Sequence, residues 1–424
     1  MSSVSSVSPV FSFPLFLLFR PKLSRLRPVT VALLVLAAPP LFAQTEDPST
    51  PATVHFGRFA LRPTLALTNL GEDDNVFNES DQANPKHDFT TTVTPATDLW
   101  LRLGRAWLKG TVKEDLVYYQ RYASERSVNG WYDGSLTVPL NRLILKAGGN
   151  YLNTRDRPGF EINARSQRQE TGYNGSVEVR AMPKTYFGFR GEQTKINFDQ
   201  AAVFLGASLQ EELNRTTTTG ALTMRHRLTP LTTLTFDVAR EQDRFEFSPL
   251  RDSNSTRIAA GAAFDPFAII KGTVSVGYRS FTPLLSETPA FHGVTADANL
   301  WYVFHESTKF DVEILRDVEY SYDITQPYYL LTGFNGSLDQ HLAGQMDIIG
   351  RFGLQQLAYV DGAGVPAALA NRTDYVHSYG GGIGYRVARR MRVGFNIDQV
   401  HRTSAVDLQA YNGLRFGMSV TYGF

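Results

Sequence analysis

The stretch that decides the fold is residues 414–424, L-R-F-G-M-S-V-T-Y-G-F, at the end of the chain. Leu, Phe, Met, Val, Tyr and Phe alternate there with Arg, Gly, Ser, Thr and Gly. Because side chains of a β-strand point alternately to opposite faces, one face of this segment is wholly apolar and the other is polar or bare. The segment therefore separates two different environments. A strand of a soluble β-sandwich could alternate in the same way, so this stretch alone leaves both interpretations open.

The same alternation recurs along the body of the chain in short segments that are separated in turn by short and long breaks. We predict strands at residues 58–69, 89–103, 106–119, 130–140, 143–153, 169–181, 185–198, 215–228, 232–246, 255–265, 268–282, 291–304, 309–323, 328–342, 346–360, 375–388, 392–404 and 411–424. Their number is even, as single-chain bacterial barrels require. The predicted fold class is all-β: a transmembrane, antiparallel, up-and-down β-barrel of the bacterial outer membrane with about 18 strands, within a range of roughly 16–18.

The breaks between the segments indicate how the barrel is oriented. Short turns of such barrels face the periplasm and long loops face outside. Tight breaks carry residues that suit the backbone angles of short turns, and they lie at Gly104-Arg105, Asn141-Arg142, Pro183, Pro230, Asp265-Pro266, Ser307 and Arg390. Longer polar breaks alternate with them, and we expect those at 155–168, 199–214 and 361–374 to fold inward and narrow the lumen. The break near Pro327 departs from the rule, because it is short and falls on the outer side.

Charged residues share one face of several predicted strands, opposite an apolar face. A basic side chain at the middle of a bilayer costs ~2–4 kcal/mol, so the charged rows should face the lumen. The candidate pore-lining residues are Lys109, Lys113, Asp115, Asp237, Glu241, Lys271, Arg279, Asp311, Glu313, Asp317 and Glu319. Both signs occur, which predicts a hydrated pore with weak net charge selectivity. Glu114 and Arg316 break the pattern, because they fall on the apolar face. The alternative interpretation is that the charges form the solvated face of a soluble sheet.

Composition excludes several classes of protein. The 424 residues contain no cysteine, so there is no disulfide and no thiolate metal site. Charges balance at 42 basic against 41 acidic residues, which gives no field that would attract nucleic acid. The sequence has no P-loop, no G-x-S-x-G elbow and no H-E-x-x-H helix, and its 8 histidines are scattered. We predict no enzyme activity, no catalytic residue, no cofactor and no metal site.

Residues 1–43 are predicted to be a signal peptide. Four basic residues between positions 20 and 27 precede an apolar core at 30–38, which is shorter than the roughly 20 residues that span a bilayer. Cleavage is expected after Ala43, and an N-terminal membrane anchor is the alternative. Residues 44–57 are then a periplasmic lead-in, and residues 58–424 form the barrel. The lead-in is too short for a plug domain such as 22-stranded transporters carry.

In its last residues the chain resembles bacterial outer-membrane β-barrels, whose closing strand ends in an aromatic residue that the barrel-assembly machinery reads. The resemblance implies that Val420, Tyr422 and Phe424 are positions of the assembly signal. It also implies that the barrel-assembly machinery and outer-membrane lipid are partners of the chain.

A second resemblance rests on the first long loop and the strand after it. The motif Asp73-Asp74-Asn75-Val76-Phe77 is followed by T-V-T-P, which ends at Pro95. This is similar to the outer-membrane "β-barrel porin 2" family, which is often linked to exopolysaccharide gene clusters. The motif covers about residues 60–100, and the remainder of the chain matches in pattern only. Turn chemistry is the plain alternative for the motif, and a calcium site is another.

The family resemblance implies a channel that passes small hydrophilic solutes or serves exopolysaccharide export. Polysaccharide, or components of polysaccharide export, would then be partners, and nucleic acid would not. The alternative function is a non-conducting structural or adhesive barrel that binds partners through its external loops.

Overall fold

The computed structural model describes residues 48–265, 268–305, 307–342 and 344–423. The predicted signal peptide, the first four residues of the lead-in and Phe424 lie outside these ranges. Within them, no helix is long and apolar enough to cross a membrane.

The described chain forms eighteen long strands joined by turns and loops. They are β1 (Phe59–Asp73), β2 (Asp88–Leu103), β3 (Ala106–Tyr119), β4 (Ser127–Pro139), β5 (Leu143–Thr154), β6 (Arg168–Met182), β7 (Thr185–Phe198), β8 (Arg215–Thr229), β9 (Thr232–Phe245), β10 (Ser253–Phe264), β11 (Ile270–Pro283), β12 (Phe291–Phe304), β13 (Thr308–Tyr320), β14 (Tyr328–His341), β15 (Met346–Val360), β16 (Thr373–Ala388), β17 (Met391–Thr403) and β18 (Tyr411–Tyr422). Each of them overlaps one of the predicted segments.

The remaining elements are short. A strand at Val54–Phe56 pairs with the start of β1, and Val203–Phe204 pairs with Ala207–Ser208 in the loop after β7. One α-helix, α1 (Leu209–Leu213), follows in the same loop. Single 3-10 turns lie at Asp81–Ala83, Ala123–Glu125, Pro249–Arg251, Ala367–Leu369 and Asp407–Gln409.

The eighteen strands close into a barrel. Each strand pairs antiparallel with the next, and β18 returns to β1, where Leu65 faces Tyr422 and Asp73 faces Arg415. This closing seam contains a bulge between Leu67 and Leu70, with Asn69 in the left-handed region at φ 54°. The prediction of an up-and-down barrel with about 18 strands is confirmed.

Short and long connections alternate around the barrel, as the sequence predicted. The turns on one side have two to five residues, and the loops on the other side have seven or more. The break before Pro327 spans residues 321–327 and therefore fits the outer side after all. With short turns at the periplasmic end, both termini of the barrel lie there as well.

The outward face is apolar and the inward face is polar, the reverse of a soluble protein. On β9, Leu234, Phe236 and Val238 are exposed, whereas Glu241 and Asp243 on the opposite face are buried. Lipid, which covers such an outer face, does not penalise exposed apolar side chains. Two sequence exceptions have local partners. The Tyr132 hydroxyl donates a hydrogen bond to Glu114 at 2.9 Å, and Arg316 is described below.

Closure at the seam depends on a glycine. A Cβ on Gly71 would overlap the Phe416 carbonyl oxygen of β18, whereas a Cβ on Gly191 of β7 would have no heavy atom within 4 Å. We expect Gly71→Val to force β1 and β18 apart and to lower the free energy of unfolding by at least about 2 kcal/mol. Gly191→Val should change it by less than about 1 kcal/mol. Urea unfolding, followed by heat-modifiable migration on gels, measures both variants. Equal midpoints would contradict the role given to Gly71.

Candidate functional site

The inner face of the barrel carries all eleven charged residues that the sequence singled out. Lys109, Lys113 and Asp115 lie on β3, Asp237 and Glu241 on β9, Lys271 and Arg279 on β11, and Asp311, Glu313, Asp317 and Glu319 on β13. Those on β9, β11 and β13 include residues that contact one another through the lumen. Their role in lining a conducting path stays a prediction.

Arg279 is the centre of the strongest charge cluster among them. Its guanidinium donates to Glu241 at 2.5 Å and to Asp317 at 2.9 Å, and its Nε donates to Ser255 at 3.1 Å. These partners come from β9, β10 and β13, so one side chain on β11 ties together strands that do not all adjoin it. Only 2% of the Arg279 surface is exposed, so the cluster is shielded from water.

Further pairs of Arg with Asp or Glu line the same face, and the sequence analysis did not single them out. Arg62 donates to Asp98 at 2.9 Å, Arg225 to Glu178 at 2.8 Å and Arg351 to Asp398 at 2.7 Å, and Arg392 pairs with Asp347. In the sequence, each of these residues occupies a position of its strand whose side chain points inward. The alternation along each strand would have identified these residues as inward-facing from the sequence. It could not have shown which of them pair, since Arg225 and Glu178, for example, are 47 positions apart.

Near the middle of the strands, some inward charges remain accessible to solvent. Lys113 and Asp115 pair at 3.1 Å with 32% and 25% of their side-chain surfaces exposed, and Glu313 is also exposed. Since these side chains face inward, their exposure is to solvent within the barrel. An inward carboxylate or ammonium group there remains hydrated.

The outer half is filled, first, by the loop of residues 155–167. The Arg157 guanidinium donates to the Val76 carbonyl oxygen at 2.7 Å, and the Asn163 amide donates to the Asn78 carbonyl oxygen at 2.9 Å. Across the barrel, Arg402 of β17 donates to the carbonyl oxygens of Phe160 and Glu161 at 2.9 and 2.7 Å. The loop is therefore held on several sides of the lumen.

Two side chains fix the tip of this loop in place. The Glu161 carboxylate accepts hydrogen bonds from the Ser321 hydroxyl at 2.6 Å and from the Tyr322 N–H at 3.1 Å. Phe160 packs against apolar residues on the inner faces of β14 to β18, among them Leu331, Leu357 and Val400. An apolar patch thus lies inside the barrel, where the loop covers it from water.

The loop of residues 199–214 adds a small hydrophobic core above this point. Leu209 and Leu213 of α1 are buried together with Ile162, Phe198 and Tyr322. The Ser208 hydroxyl caps α1 by accepting the Glu211 N–H at 3.3 Å. Two of the three loops that were expected to narrow the lumen therefore enter it. The third, residues 361–372, contacts the 321–327 tip, since the Gln326 side chain donates to the Leu369 carbonyl oxygen at 2.9 Å.

The hairpin of β13 and β14 also bends inward, which the sequence did not predict. β12 and β13 pair from Phe304–Thr308 up to Ala296–Arg316, and no pairing between them continues above that point in the described chain. Arg316 marks the separation, because its Nε donates to the Val294 carbonyl oxygen at 3.2 Å. Above it, Tyr320 packs on Phe245 at 4.8 Å between ring centroids and donates to Asp243 at 2.9 Å.

Loop 155–167, loop 199–214 and the tip of the β13–β14 hairpin together form an occluding layer, which we call the plug. A cavity of about 50 Å³ lies against it, lined by apolar and charged residues such as Phe160, Arg168 and Glu319. In the part of the chain that the structure describes, no group of three or more His, Cys, Asp or Glu residues could hold a metal ion.

The family-like motif serves as a joint between the first loop, the plug and β18. Asp73 pairs with Arg415, the Leu414 N–H donates to Asp74 at 2.6 Å, and the Asn75 amide donates to the Asn412 carbonyl oxygen at 2.7 Å. Val76 offers its carbonyl oxygen to the plug, and Phe77 meets Tyr122 edge to face at 4.9 Å. The motif residues here do what turn and loop chemistry predicts.

Pro95 lies on β2, and the C-terminal positions Val420 and Tyr422 lie on β18. Pro95 pairs with Leu65 of β1 but leaves a gap in the pairing of β2 with β3, because proline has no N–H to donate. Val420 and Tyr422 lie on the outward face of β18, and 57% of Tyr422 is exposed. An assembly role for Val420, Tyr422 and Phe424 stays a prediction.

Removing the cation from the Arg279 cluster should be costly. Arg279→Met removes the guanidinium that Glu241 and Asp317 share in a buried site, so we expect a loss of about 3–5 kcal/mol in the free energy of unfolding. Lys309→Met, in a partly exposed pair with Asp311, should cost less than about 1 kcal/mol. Urea titration of the refolded barrel measures both. The combined variant R279M/E241Q/D317N should recover most of the loss, and its failure to do so would contradict this account.

The position of the plug should depend on pH through Glu161. Burial raises the pKa of its carboxyl to about 7, and the hydrogen bond from Ser321 only partly opposes this shift. A released loop would have the ordinary pKa of about 4.5, so the inward position binds the proton more tightly and is favoured at low pH. The preference is lost as pH rises through about 7, by up to about 3 kcal/mol.

A spin label on A164C can follow this change, because the chain has no other cysteine. We expect the label to gain mobility between about pH 4.5 and about pH 7, the interval between the two pKa values. The matched variant E161Q should keep one mobility throughout. A mobility that varies equally in both proteins would contradict the role of Glu161.

The model of a family described as "Putative beta-barrel porin 2" matches residues 47–424. Curated protein sequences give no significant match. Among solved structures, the chain is similar to the outer membrane protein OpdK from Pseudomonas aeruginosa, with 9% identity, 85% of this chain and 98% of that chain covered, and a TM-score of 0.46. A BenF-like porin from Pseudomonas fluorescens Pf-5 is similar too, with 10% identity, 85% of this chain and 98% of that chain covered, and a TM-score of 0.47.

The FrpB iron transporter from Neisseria meningitidis is also similar, with 9% identity, 81% of this chain covered and a TM-score of 0.40, and the chain spans 62% of its length. The assignment rests on the family model, which covers all of the described residues. The protein belongs to the beta-barrel porin 2 family and is a porin-like β-barrel channel of the bacterial outer membrane.

Proposed function

We propose that this barrel passes small hydrophilic solutes through its lumen and that the plug controls entry from outside. The observation that carries the proposal is the hydrated row of charges on the inner face, with Lys113, Asp115 and Glu313 exposed inside the barrel. A closed wall of eighteen strands is wide enough for an aqueous channel when its interior is not filled. Water and polar solutes would find compatible surroundings along this row.

Weak charge selectivity is the expected consequence of the pairing inside the lumen. Arg225 with Glu178 and Arg351 with Asp398 neutralise each other within hydrogen-bonding distance. A permeating ion therefore meets paired charges of both signs rather than a ring of charges of one sign. The solute size limit, by contrast, would be set by the plug.

Opening requires that loop 155–167 leave its position between β17 and the 321–327 tip. The contacts that hold it are hydrogen bonds and the packing of Phe160 and Ile162, which a shift of one loop can exchange for water. The wall itself would not have to change. A loop gate of this kind leaves the backbone pairing of the barrel intact.

A second candidate is the non-conducting structural or adhesive barrel. The observation that favours it is the plug itself, because loop 155–167, which is anchored between β5 and β6, reaches across the lumen to Arg402 of β17 and to Ser321 and Tyr322 after β13. External loops would then bind a partner, and the filled outer half would serve stability.

Service to exopolysaccharide export is the narrower form of the channel hypothesis, and its support is the resemblance of the first loop. A polymer chain would have to displace the plug completely, which a small solute need not do. On the basis of the two resemblances, we also propose three partners: polysaccharide, components of polysaccharide export, and the barrel-assembly machinery.

Conductance in planar bilayers tests the proposal. We expect the mature barrel to give small, salt-dependent steps, and a variant in which Gly-Ser replaces residues 158–163 to give steps at least about threefold larger, since the plug occupies the outer lumen. A variant shortened at loop 284–290, which is not part of the plug, should behave like the unmodified barrel. Polymers of graded size would then measure the bore.

Two outcomes decide between the candidates. A folded, heat-modifiable barrel that stays silent with and without residues 158–163 would contradict the channel and favour the structural barrel. Permeation of small sugars that excludes oligosaccharides, even without the plug segment, would contradict polysaccharide passage while supporting a solute channel.

A further inference from the structure

Six cations lie in or beside the short turns at the periplasmic end of the barrel. They are Arg58, Arg105, Arg142, Lys184, Arg389 and Arg390. All six are exposed, and within the described chain none of their side chains takes part in a hydrogen bond or an ion pair. Their charges are therefore not neutralised by the protein.

In the outer loops, by contrast, several cations form ion pairs within the protein. There, Lys86 pairs with Glu79, Arg155 with Glu125 at 3.0 Å, and Arg251 with Glu212 at 2.6 Å. Among the described residues of the periplasmic turns, Asp265 is the one acidic side chain. The periplasmic end thus carries a net positive charge that the outer end lacks.

The six cations are not spread evenly around the barrel. They occupy the β16–β17 turn, the entry to β1, and the β2–β3, β4–β5 and β6–β7 turns, which follow one another around one half of the wall. The four turns of the other half, from β8–β9 to β14–β15, contain no Lys or Arg. We call the charged half the basic arc.

The exposed apolar residues beside the basic arc indicate how deep it lies in the membrane. Leu103, Leu140, Met182 and Val387 are exposed, and each lies two positions before a cation of the arc. A strand rises about 3.3 Å per residue, so Arg105, Arg142, Lys184 and Arg389 lie at most ~7 Å beyond an exposed apolar side chain. The headgroup layer of one leaflet is roughly 5–7 Å thick, which places the cations within it.

We propose that the basic arc binds anionic phospholipid headgroups of the inner leaflet, with phosphatidylglycerol as the model ligand. Unpaired guanidinium and ammonium groups at the level of the lipid phosphates attract anionic headgroups, and no ion pair within the protein must first be broken. Because the arc covers half the wall, the bound anionic lipid would be concentrated on that side. An acidic polymer in the periplasm is the competing ligand, but it would not explain why four of the six cations lie two positions after an exposed apolar side chain.

Spin-labelled lipids in nanodiscs that hold the full barrel test the proposal. We expect the barrel to bind spin-labelled phosphatidylglycerol about threefold more strongly than spin-labelled phosphatidylcholine, and high salt to weaken the preference. The variant R105Q/R142Q/K184Q/R390Q should lower the ratio to about one, since most of the attraction is removed. The control variant K86Q/R121Q/R126Q/R244Q removes the same charge from the outer side and should keep the ratio of the unmodified barrel.

Several results would overturn the proposal. An unmodified barrel without preference would do so, as would a fourfold variant that keeps it. So would loss of polygalacturonate binding in the fourfold variant with an unchanged lipid ratio, which would identify an acidic polymer as the ligand. If the fourfold variant does not fold, R389Q/R390Q should still lower the ratio, and an unchanged value would count against the arc. None of these results depends on conduction, so the proposed channel is tested separately.

Discussion

The structure depends on one constraint: in hydrocarbon, every backbone N–H and C=O must find its partner within the protein. A sheet of alternating strands meets this demand only when its last strand returns to its first. Here β18 meets β1 along a seam that includes the bulge near Asn69 and the close approach of Gly71 to Phe416. The seam joins residues more than 340 positions apart, so it forms only when the whole wall has assembled.

Closure turns the usual distribution of side chains inside out. Apolar residues cover the outside, and the polar faces of all strands meet in the interior. Charges enclosed in this way need partners, because an unpaired buried charge is costly. In the outer half, Arg279 and Arg402 are supplied with carboxylates and carbonyl oxygens by other strands and by loop 155–167. Near the middle of the strands, Lys113, Asp115 and Glu313 are left partly in water. Pairing and hydration are thus two ways of meeting the same requirement.

Strand positions could be read from the sequence because a strand between lipid and water must alternate at every second residue. All eighteen segments are present, and the side of each charged row followed from its parity. The break near Pro327 looked irregular because the segment before it was predicted to end at 323, whereas the strand ends at Tyr320. Arg316 was noticed as an intruder in an apolar row, yet its meaning needed the structure: it caps the carbonyl oxygen of Val294 where β13 leaves β12. Alternation is a local property, and it continues unchanged whether a strand stays in the wall or bends inward.

The sequence by itself determined the class of object: a closed wall of alternating strands, its orientation, and which residues face inward. These follow from local periodicity and loop length, which neighbours along the chain suffice to encode. The tertiary structure alone decided that loops 155–167 and 199–214 meet the 321–327 tip inside the lumen, which charges pair, and that unpaired cations gather along one half of the periplasmic rim. Those features arise from residues far apart in sequence, such as Glu161 and Ser321. Closing the barrel brings them together, because it fixes the position of every strand around the ring.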